Sequence, residues 1–172
     1  MPTVRIVEAG PDRLAEVEHL TRALHAHHRT VDPQIPGIPP RDADAWWALR
    51  RGRYESWFTE PDTFVLLAEQ DGADRPVGYA LVTFHESDDS HATGERFAEL
   101  QSLVVDPDRR GGGLGTLLLH EVYRQVRRRG VEEMVIGVLA TNEAARRLYE
   151  REGFRPWVIL TMGKVPDPDV GG

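Results

Sequence analysis

The sequence predicts a mixed α/β domain, with one central β-sheet that is antiparallel in its N-terminal half and parallel at its centre, and with helices on both faces. A β-hairpin pattern marks the antiparallel half, where "TFVLLAEQ" (63–70) and "PVGYALVTFH" (76–85) flank the turn at 71–75. The next strand, "RFAELQSLVV" (96–105), becomes apolar on both faces, which indicates a central position. From 96 to 140 the pattern is strand, helix, strand, and such a crossover is expected to be parallel and right-handed.

The other elements follow from apolar periodicity and from capping signals. Apolar residues recur at helical spacing between Leu14 and Leu24, and Gly130 and Gly153 end two later helices. Four prolines between 31 and 40 exclude a helix there. The remaining predicted elements are a strand at 3–9, helices at 11–28, 42–58, 115–129 and 142–152, a polar loop at 86–95, and strands at 132–140 and 154–164.

Length and composition bound the class of protein. The chain has 172 residues, of which 40% are hydrophobic and 28% charged, so we expect one globular domain over 1–165 and a flexible tail at 166–172. The absence of cysteine excludes a disulfide framework and a cysteine nucleophile. The sequence has no run of 18 apolar residues and no secretory pattern, so we expect a cytoplasmic protein that does not bind membranes.

The formal net charge of −7 disfavours non-specific nucleic-acid binding and favours cationic partners, although an acidic surface also serves solubility alone. We therefore expect no nucleic-acid partner.

A glycine-rich turn, "DPDRRGGGLGTLLLH" (106–120), joins the central strand to a helix. A helix N-terminus presents unpaired backbone N–H groups to an anion, and glycine allows the anion to come close. The turn lacks the lysine of a P-loop, and it lacks the last glycine of a dinucleotide fingerprint, where Thr116 stands. The glycines alone leave open a merely tight joint between strand and helix.

Two motifs in order resolve this ambiguity. Arg110, Gly113 and Gly115 fill the pattern Gln/Arg-x-x-Gly-x-Gly/Ala after "LVVDPDRR", and "NEAARRLYEREGF" (142–154) follows about thirty residues later. The stretch from 96 to 155 thereby resembles the GCN5-related N-acetyltransferases, the GNAT family. The resemblance implies the GNAT fold, whose central parallel strands splay apart, and acetyl-CoA as cosubstrate.

The resemblance also implies a set of cofactor contacts. Backbone N–H groups of the glycine-rich turn would hold the pyrophosphate, and the pantetheine arm would pair with the preceding strand. Asn142 would touch the same arm, or else cap its helix. The implied cofactor-binding residues are Leu103, Val104, Val105, Arg110, Gly111, Gly112, Gly113, Leu114, Gly115, Thr116, Asn142 and Tyr149.

Glu99 and Tyr149 are the implied catalytic residues. Glu99 stands eleven residues before Arg110, where family members carry a base, although a solvated surface charge is the alternative. Gln101 is expected on the same strand face, unless a β-bulge changes the alternation. Tyr149 lies two helical turns after Asn142 and would protonate the departing CoA thiolate, unless it is a core residue.

The resemblance places the acceptor site between the loop at 86–95 and the first helix with its following loop, where His28 and Asp32 would contact the acceptor. The histidines at 25, 27 and 28 lack partners at metal-ligand spacing, so no metal is expected. The tryptophans at 46, 47 and 57 are expected to be core or interface anchors.

The expected reaction is acetyl transfer from acetyl-CoA to a primary amine, by direct attack in a ternary complex. A small cationic acceptor is favoured, while a protein α-amine or lysine, and a non-catalytic acyl-CoA-binding module, remain alternatives. After Phe154 there is room for one strand rather than two, so we expect a homodimer that completes the sheet edge.

Overall fold

The structure, a computed structural model, describes residues 3–87 and 91–166. The elements in chain order are β1 (Val4–Ala9), a 3₁₀ helix (Pro11–Val17), α1 (Glu18–Thr30), α2 (Ala43–Trp57), β2 (Phe64–Gln70), β3 (Gly78–Glu86), β4 (Arg96–Val105), a short 3₁₀ turn (Pro107–Arg109), α3 (Leu114–Arg128), β5 (Met134–Ile136) and α4 (Glu143–Arg151). No helix of the described residues is both long enough and apolar enough to cross a membrane.

The five strands form one mixed sheet in the order β1-β2-β3-β4-β5. Strands β1 to β4 pair antiparallel, and β4 pairs with β5 in parallel. This confirms the predicted mixed sheet flanked by helices. The strand β2 is buried on both faces because Phe64, Leu66 and Ala68 face α3, whereas Val65 and Leu67 face the opposite layer.

Helices cover both faces of the sheet and create two hydrophobic cores. On one face α3 packs its apolar stripe, including Leu118 and Val122, on β2, β3 and β4. On the other face the 3₁₀ helix, α1 and α2 contribute Val17, Leu20 and Tyr54. The sheet is therefore the middle layer, and residues at the C-terminal end of β4 pack into both cores.

A β-bulge interrupts β4 at Gln101. The pairing with β3 runs from Leu81 opposite Ser102 to Val82 opposite Leu100, so Gln101 is the extra residue. Leu100 packs on the α3 face before the bulge, and Leu103 does so after it. The side chains of Gln101 and Ser102 both hydrogen-bond to residues of the opposite face, so Gln101 shares the face of Glu99, as the strand alternation predicted.

Three of the elements predicted from the sequence are wrong in part or in full. The helix expected at 11–28 begins as a 3₁₀ helix and becomes α-helical only at Glu18. The strand expected at 132–140 is hydrogen-bonded only over Met134–Ile136, because β5 diverges from β4 after that. The segment 154–164 is not a strand: it has no regular secondary structure and pairs with no described strand, and Ile159 and Leu160 are 86% and 91% exposed. Residues 167–172 of the predicted tail and 88–90 of the polar loop lie outside the described residues.

Candidate active site

The glycine-rich turn forms an open N-terminus for α3. Gly113 precedes the helix with φ of 80°, and Gly111 has φ of 79°, both in the left-handed region that favours glycine. The first bond of the helix runs from the Leu117 N–H to the Gly113 carbonyl at 3.0 Å. The backbone N–H groups before Leu117 therefore have no acceptor within the helix. Because the turn before the helix is exposed, these groups can bind an anion.

The glycines of this turn have different structural requirements. The family pattern leaves the positions of Gly111 and Gly112 free, yet Gly111 has the same left-handed backbone as Gly113, and Gly112 does not. A Cβ added at Gly115 would lie 3.7 Å from Cγ2 of Val105, an ordinary van der Waals contact. The protein alone thus has space for alanine at 115, so a strict need for glycine there would come from a ligand.

The edge of β4 next to this turn is free on one side. The parallel pairing with β5 covers only Ala98–Leu100, and no described strand pairs with Leu103–Val105 on that side. The Asp106 N–H donates to the Val77 carbonyl at 2.9 Å, so by alternation the backbone groups of Leu103 and Val105 point away from β3. The side chain of Arg110 reaches this edge, where its Nε donates to the Val105 carbonyl at 3.3 Å.

Glu99 lies in a chain of polar contacts on the α1/α2 face of the sheet. Its Oε2 is 3.0 Å from Nε2 of His85, and that nitrogen is 2.9 Å from Oγ1 of Thr83. Nε2 of Gln101 donates to the same Thr83 oxygen at 3.0 Å. Glu99 is 33% exposed and His85 34%, so both side chains remain accessible from solvent.

Sequence reasoning missed His85. Its only signal is the alternation of polar Thr83 and His85 in the otherwise apolar strand β3. Placing it beside Glu99 requires the β3–β4 register, in which Thr83 is opposite Glu99 and His85 opposite Phe97.

On the Glu99 face of the sheet, α1 and α2 present a group of aromatic and basic side chains, here called the helical wall. The rings of His25 and His28 lie 5.0 and 6.3 Å from that of Trp46, and the Arg50 guanidinium lies 5.7 Å from the Trp46 centroid. Arg50 also donates to the carbonyl of Gln101 at 2.8 Å, which ties this wall to the bulge of β4. Burial, with the nearby His27 and Arg50, lowers the pKa of His28 to about 4, so its imidazole is neutral at pH 7.

The low pKa of His28 predicts an acid-sensitive contribution to stability. An unfolded histidine binds its proton near pH 6.5 and the folded one near 4, so the free energy of unfolding falls as the pH drops through this window. We expect His28→Gln to remove the part of this decrease in unfolding free energy that His28 causes. The urea midpoint of the variant should therefore fall less between pH 7 and pH 4.5 than that of wild type. Parallel pH dependence in variant and wild type would contradict this prediction.

Two further predicted site residues make local structural contacts. Oδ1 of Asp32 accepts from the Gln34 N–H at 3.0 Å and forms a turn. Oδ1 of Asn142 accepts from the Ala145 N–H at 3.2 Å, so it caps α4, which is one of its two predicted roles. The Thr141 hydroxyl donates to the Val31 carbonyl and brings this cap beside the end of α1. Among the described residues no cluster of three metal-ligating side chains occurs.

Tyr149 lies on the opposite face of the sheet from Glu99. It packs against the α3-side core, with its ring 6.2 Å from that of Phe154. Burial raises its pKa to about 12, so the hydroxyl stays protonated. The structure does not bring Tyr149 and Glu99 into contact; the gap where β4 and β5 diverge separates them.

Comparison with known proteins agrees with this geometry. The sequence model described as the acetyltransferase (GNAT) family matches residues 22–154. A mycothiol acetyltransferase of Kocuria rhizophila is 32% identical over 160 residues, which cover 92% of this chain and 48% of that protein. The chain therefore belongs to the GNAT acetyltransferase family. It spans about a third to a half of the length of the curated relatives it matches, between 34% and 48%.

Solved structures share the fold. A GCN5-related N-acetyltransferase from Ralstonia eutropha JMP134 superposes with a TM-score of 0.74 at 20% identity, covering 94% of this chain and 99% of that one. An aminoglycoside N-acetyltransferase in complex with CoA gives a TM-score of 0.68 at 16% identity, with 96% of both chains covered. At these identities the likeness concerns the fold alone, and the predicted GNAT fold is confirmed.

Proposed function

We propose that the protein transfers an acetyl group from acetyl-CoA to the primary amine of a small molecule, by direct attack within a ternary complex. One observation carries the proposal. The unpaired half of β4 begins at Gln101, two residues after Glu99, and leads to the open N-terminus of α3, so a base, a free strand edge and an anion site follow one another along one strand and its turn. The anion site would bind the pyrophosphate of acetyl-CoA, and the free strand edge would bind its amide-bearing arm.

Glu99 is the proposed proton acceptor. A primary amine has a pKa near about 10, so at neutral pH it arrives as an ammonium ion that cannot attack. An N–H bond of the ammonium breaks, its proton passes to the Glu99 carboxylate directly or through one water, and the freed electron pair attacks the thioester carbon. Glu99 is partly exposed and lies on the sheet face that α1 and α2 cover.

Tyr149 acts on the other product. When the C–S bond breaks, the electron pair leaves with the CoA sulfur, whose thiol has a pKa near about 8.5. A tyrosine with a pKa of about 12 stays neutral and donates a hydrogen bond to this thiolate. The attacking nitrogen loses its second proton as the amide forms, and the sulfur takes up a proton and leaves as the CoA thiol. We propose that the thioester lies between β4 and β5 where the two strands diverge. The amine would then attack from the Glu99 face, and the sulfur would leave on the Tyr149 face.

The acceptor is proposed to be a small cationic amine. The formal net charge of −7 favours cationic partners, and neutral His28 does not add to the positive charge of Arg50 on the wall. The relatives named as mycothiol and aminoglycoside acetyltransferases support a small-molecule acceptor as a class. An acetyl-CoA-dependent reaction also fits the expected cytoplasmic location.

An amine panel tests this function. Release of the CoA thiol from acetyl-CoA is followed with monoamines, polyamines, amino sugars, amino acids and peptides with a free N-terminus or lysine. We expect turnover with at least one small amine and weaker turnover with the peptides. Turnover confined to peptides would favour a protein acetyltransferase, and CoA binding without turnover would favour a binding module. Absence of CoA binding would exclude the acetyltransferase and the binding module alike.

Replacement of Tyr149 by phenylalanine tests the leaving-group role. Phenylalanine keeps the packing against Phe154 and removes only the hydroxyl, so we expect kcat to fall about tenfold with the KM for acetyl-CoA unchanged. Because the pKa of Tyr149 is about 12, the shape of the pH–rate profile up to pH 10 should not change. Loss of an alkaline limb in Tyr149→Phe would contradict this assignment.

We further propose a homodimer that covers the C-terminal segment. Residues 157–165 form an exposed, mainly apolar stretch, and the outer edge of β5 has no partner strand among the described residues. A cavity of about 350 Å³ lies next to that edge, lined by residues that include Tyr123, Met134 and Phe154. A second copy of the same segment would supply a strand to the edge and apolar side chains to the cavity.

The oligomeric state tests the dimer. In sedimentation measurements at micromolar concentration we expect the wild-type mass to be twice that of one chain, and Leu160→Glu to be monomeric. Leu49→Glu is the matched control, because Leu49 is another exposed leucine, on α2, away from the sheet edge. A wild-type monomer, or a dimer that survives Leu160→Glu, would reject this interface.

A further inference from the structure

We infer that His85 is a positioning residue for the Glu99 carboxylate, and that Thr83 and Gln101 hold the imidazole in place. The inference rests on the proposed role of Glu99 as proton acceptor and adds the residues that make this role effective. It depends on one connected set of contacts, Gln101 to Thr83, Thr83 to His85, and His85 to Glu99, with distances between 2.9 and 3.0 Å.

The contacts determine which ring nitrogen carries the proton. Nε2 of His85 faces two oxygens, Oε2 of Glu99 and Oγ1 of Thr83. An ionised carboxylate only accepts hydrogen bonds, so an Nε2 that lies 3.0 Å from Oε2 of Glu99 must carry the hydrogen; the Thr83 oxygen, which accepts from the Gln101 amide, can accept a second hydrogen bond from the same ring. The neutral imidazole therefore has its hydrogen on Nε2 and donates it towards Glu99.

This donation orients the base. A partly exposed glutamate loses considerable rotamer entropy when it is held in one conformation. With Oε2 bound to His85, the other oxygen has a fixed direction and can take the proton of the ammonium. The imidazole is held in turn by the Phe97 ring, 5.3 Å away, and by the Thr83 contact.

Gln101 gains a role from this arrangement. It is the extra residue of the bulge, its side-chain amide donates to Thr83, and its backbone carbonyl accepts from Arg50. A glutamate at 101 could not donate to Thr83. The charged groups in this set of contacts are the Glu99 carboxylate and, beyond Gln101, the Arg50 guanidinium.

Variants of His85 separate positioning from packing. His85→Phe keeps a ring against Phe97 and removes the donor, so we expect kcat to fall roughly tenfold with the KM for acetyl-CoA unchanged. His85→Gln places an amide N–H near the position of Nε2–H and should recover most of the loss. In the Glu99→Gln background His85→Phe should cost less than twofold, because His85 acts through Glu99.

Three results would overturn the inference: an unchanged kcat in His85→Phe, a His85→Gln variant as slow as His85→Phe, or the full loss of His85→Phe added to that of Glu99→Gln. A measurement that needs no acceptor complements these kinetics. Correlation of ring nitrogens and protons of His85 by NMR should show the Nε2–H tautomer at pH 8, and the Nδ1–H tautomer would contradict the contact. If wild type acetylates no amine, the proposed function fails, whereas the Nδ1–H tautomer would reject the His85–Glu99 contact whatever the activity, so the two failures are distinguishable.

Discussion

Replacing Gly113 by valine is expected to raise the dissociation constant of CoA by roughly tenfold to 100-fold. Gly113 has φ of 80°, and a β-branched residue in this region carries strain of about 1–3 kcal/mol, which corresponds to roughly fivefold to 150-fold in affinity and brackets the expected effect. The turn can relieve the strain only by leaving the conformation that presents the first amides of α3. Calorimetric titration with CoA measures the effect directly.

The neighbouring glycines are matched controls. Gly112 has no left-handed backbone, and a Cβ there would lie 3.8 Å from the Arg109 carbonyl oxygen, so Gly112→Ala should change the affinity less than twofold. Gly111→Ala should have an intermediate effect, because its φ of 79° is strained for alanine. Equal losses in Gly112→Ala and Gly113→Val would show that the turn does not hold the phosphates in this conformation.

Replacing Glu99 by glutamine is expected to lower kcat about 100-fold and to leave the dissociation constant of acetyl-CoA unchanged. The amide has nearly the shape of the carboxylate but cannot take a proton from the ammonium. The pH–rate profile should also flatten on its acidic side, since the titrating base is gone.

The control for Glu99→Gln is Glu60→Gln, which removes the same charge from an exposed turn after α2. It should leave both kcat and the pH–rate profile unchanged. A Glu99→Gln variant with wild-type kcat and an unchanged profile would remove Glu99 from the mechanism.

Local motifs explain why the glycine-rich turn could be predicted from sequence. The positions of Gly113 and Gly115 follow from a short pattern, and the left-handed backbone of Gly113 is a property of that single residue. The cap at Asn142 is equally local, since its side chain bonds an amide three residues away. The antiparallel hairpin followed from two apolar runs and one turn.

Features that depend on partners far along the chain could not be predicted in this way. His85 contacts Glu99 only because the β3–β4 register, including the bulge at Gln101, places them together. The segment 154–164 has the β-branched and aromatic residues of a strand, yet a strand also needs a partner. The sheet pairing of β5 ends at Ile136, and no sequence window around 154–164 contains that information.

Direct attack of the amine on bound acetyl-CoA is the central claim, and initial-rate kinetics test it most directly. With the best amine from the panel, both substrates are varied and the reciprocal rates are plotted. A ternary complex predicts lines that intersect, because both substrates must be bound before either product leaves. Parallel lines would mean that an acetyl group rests on the protein between two half-reactions, and would contradict direct attack.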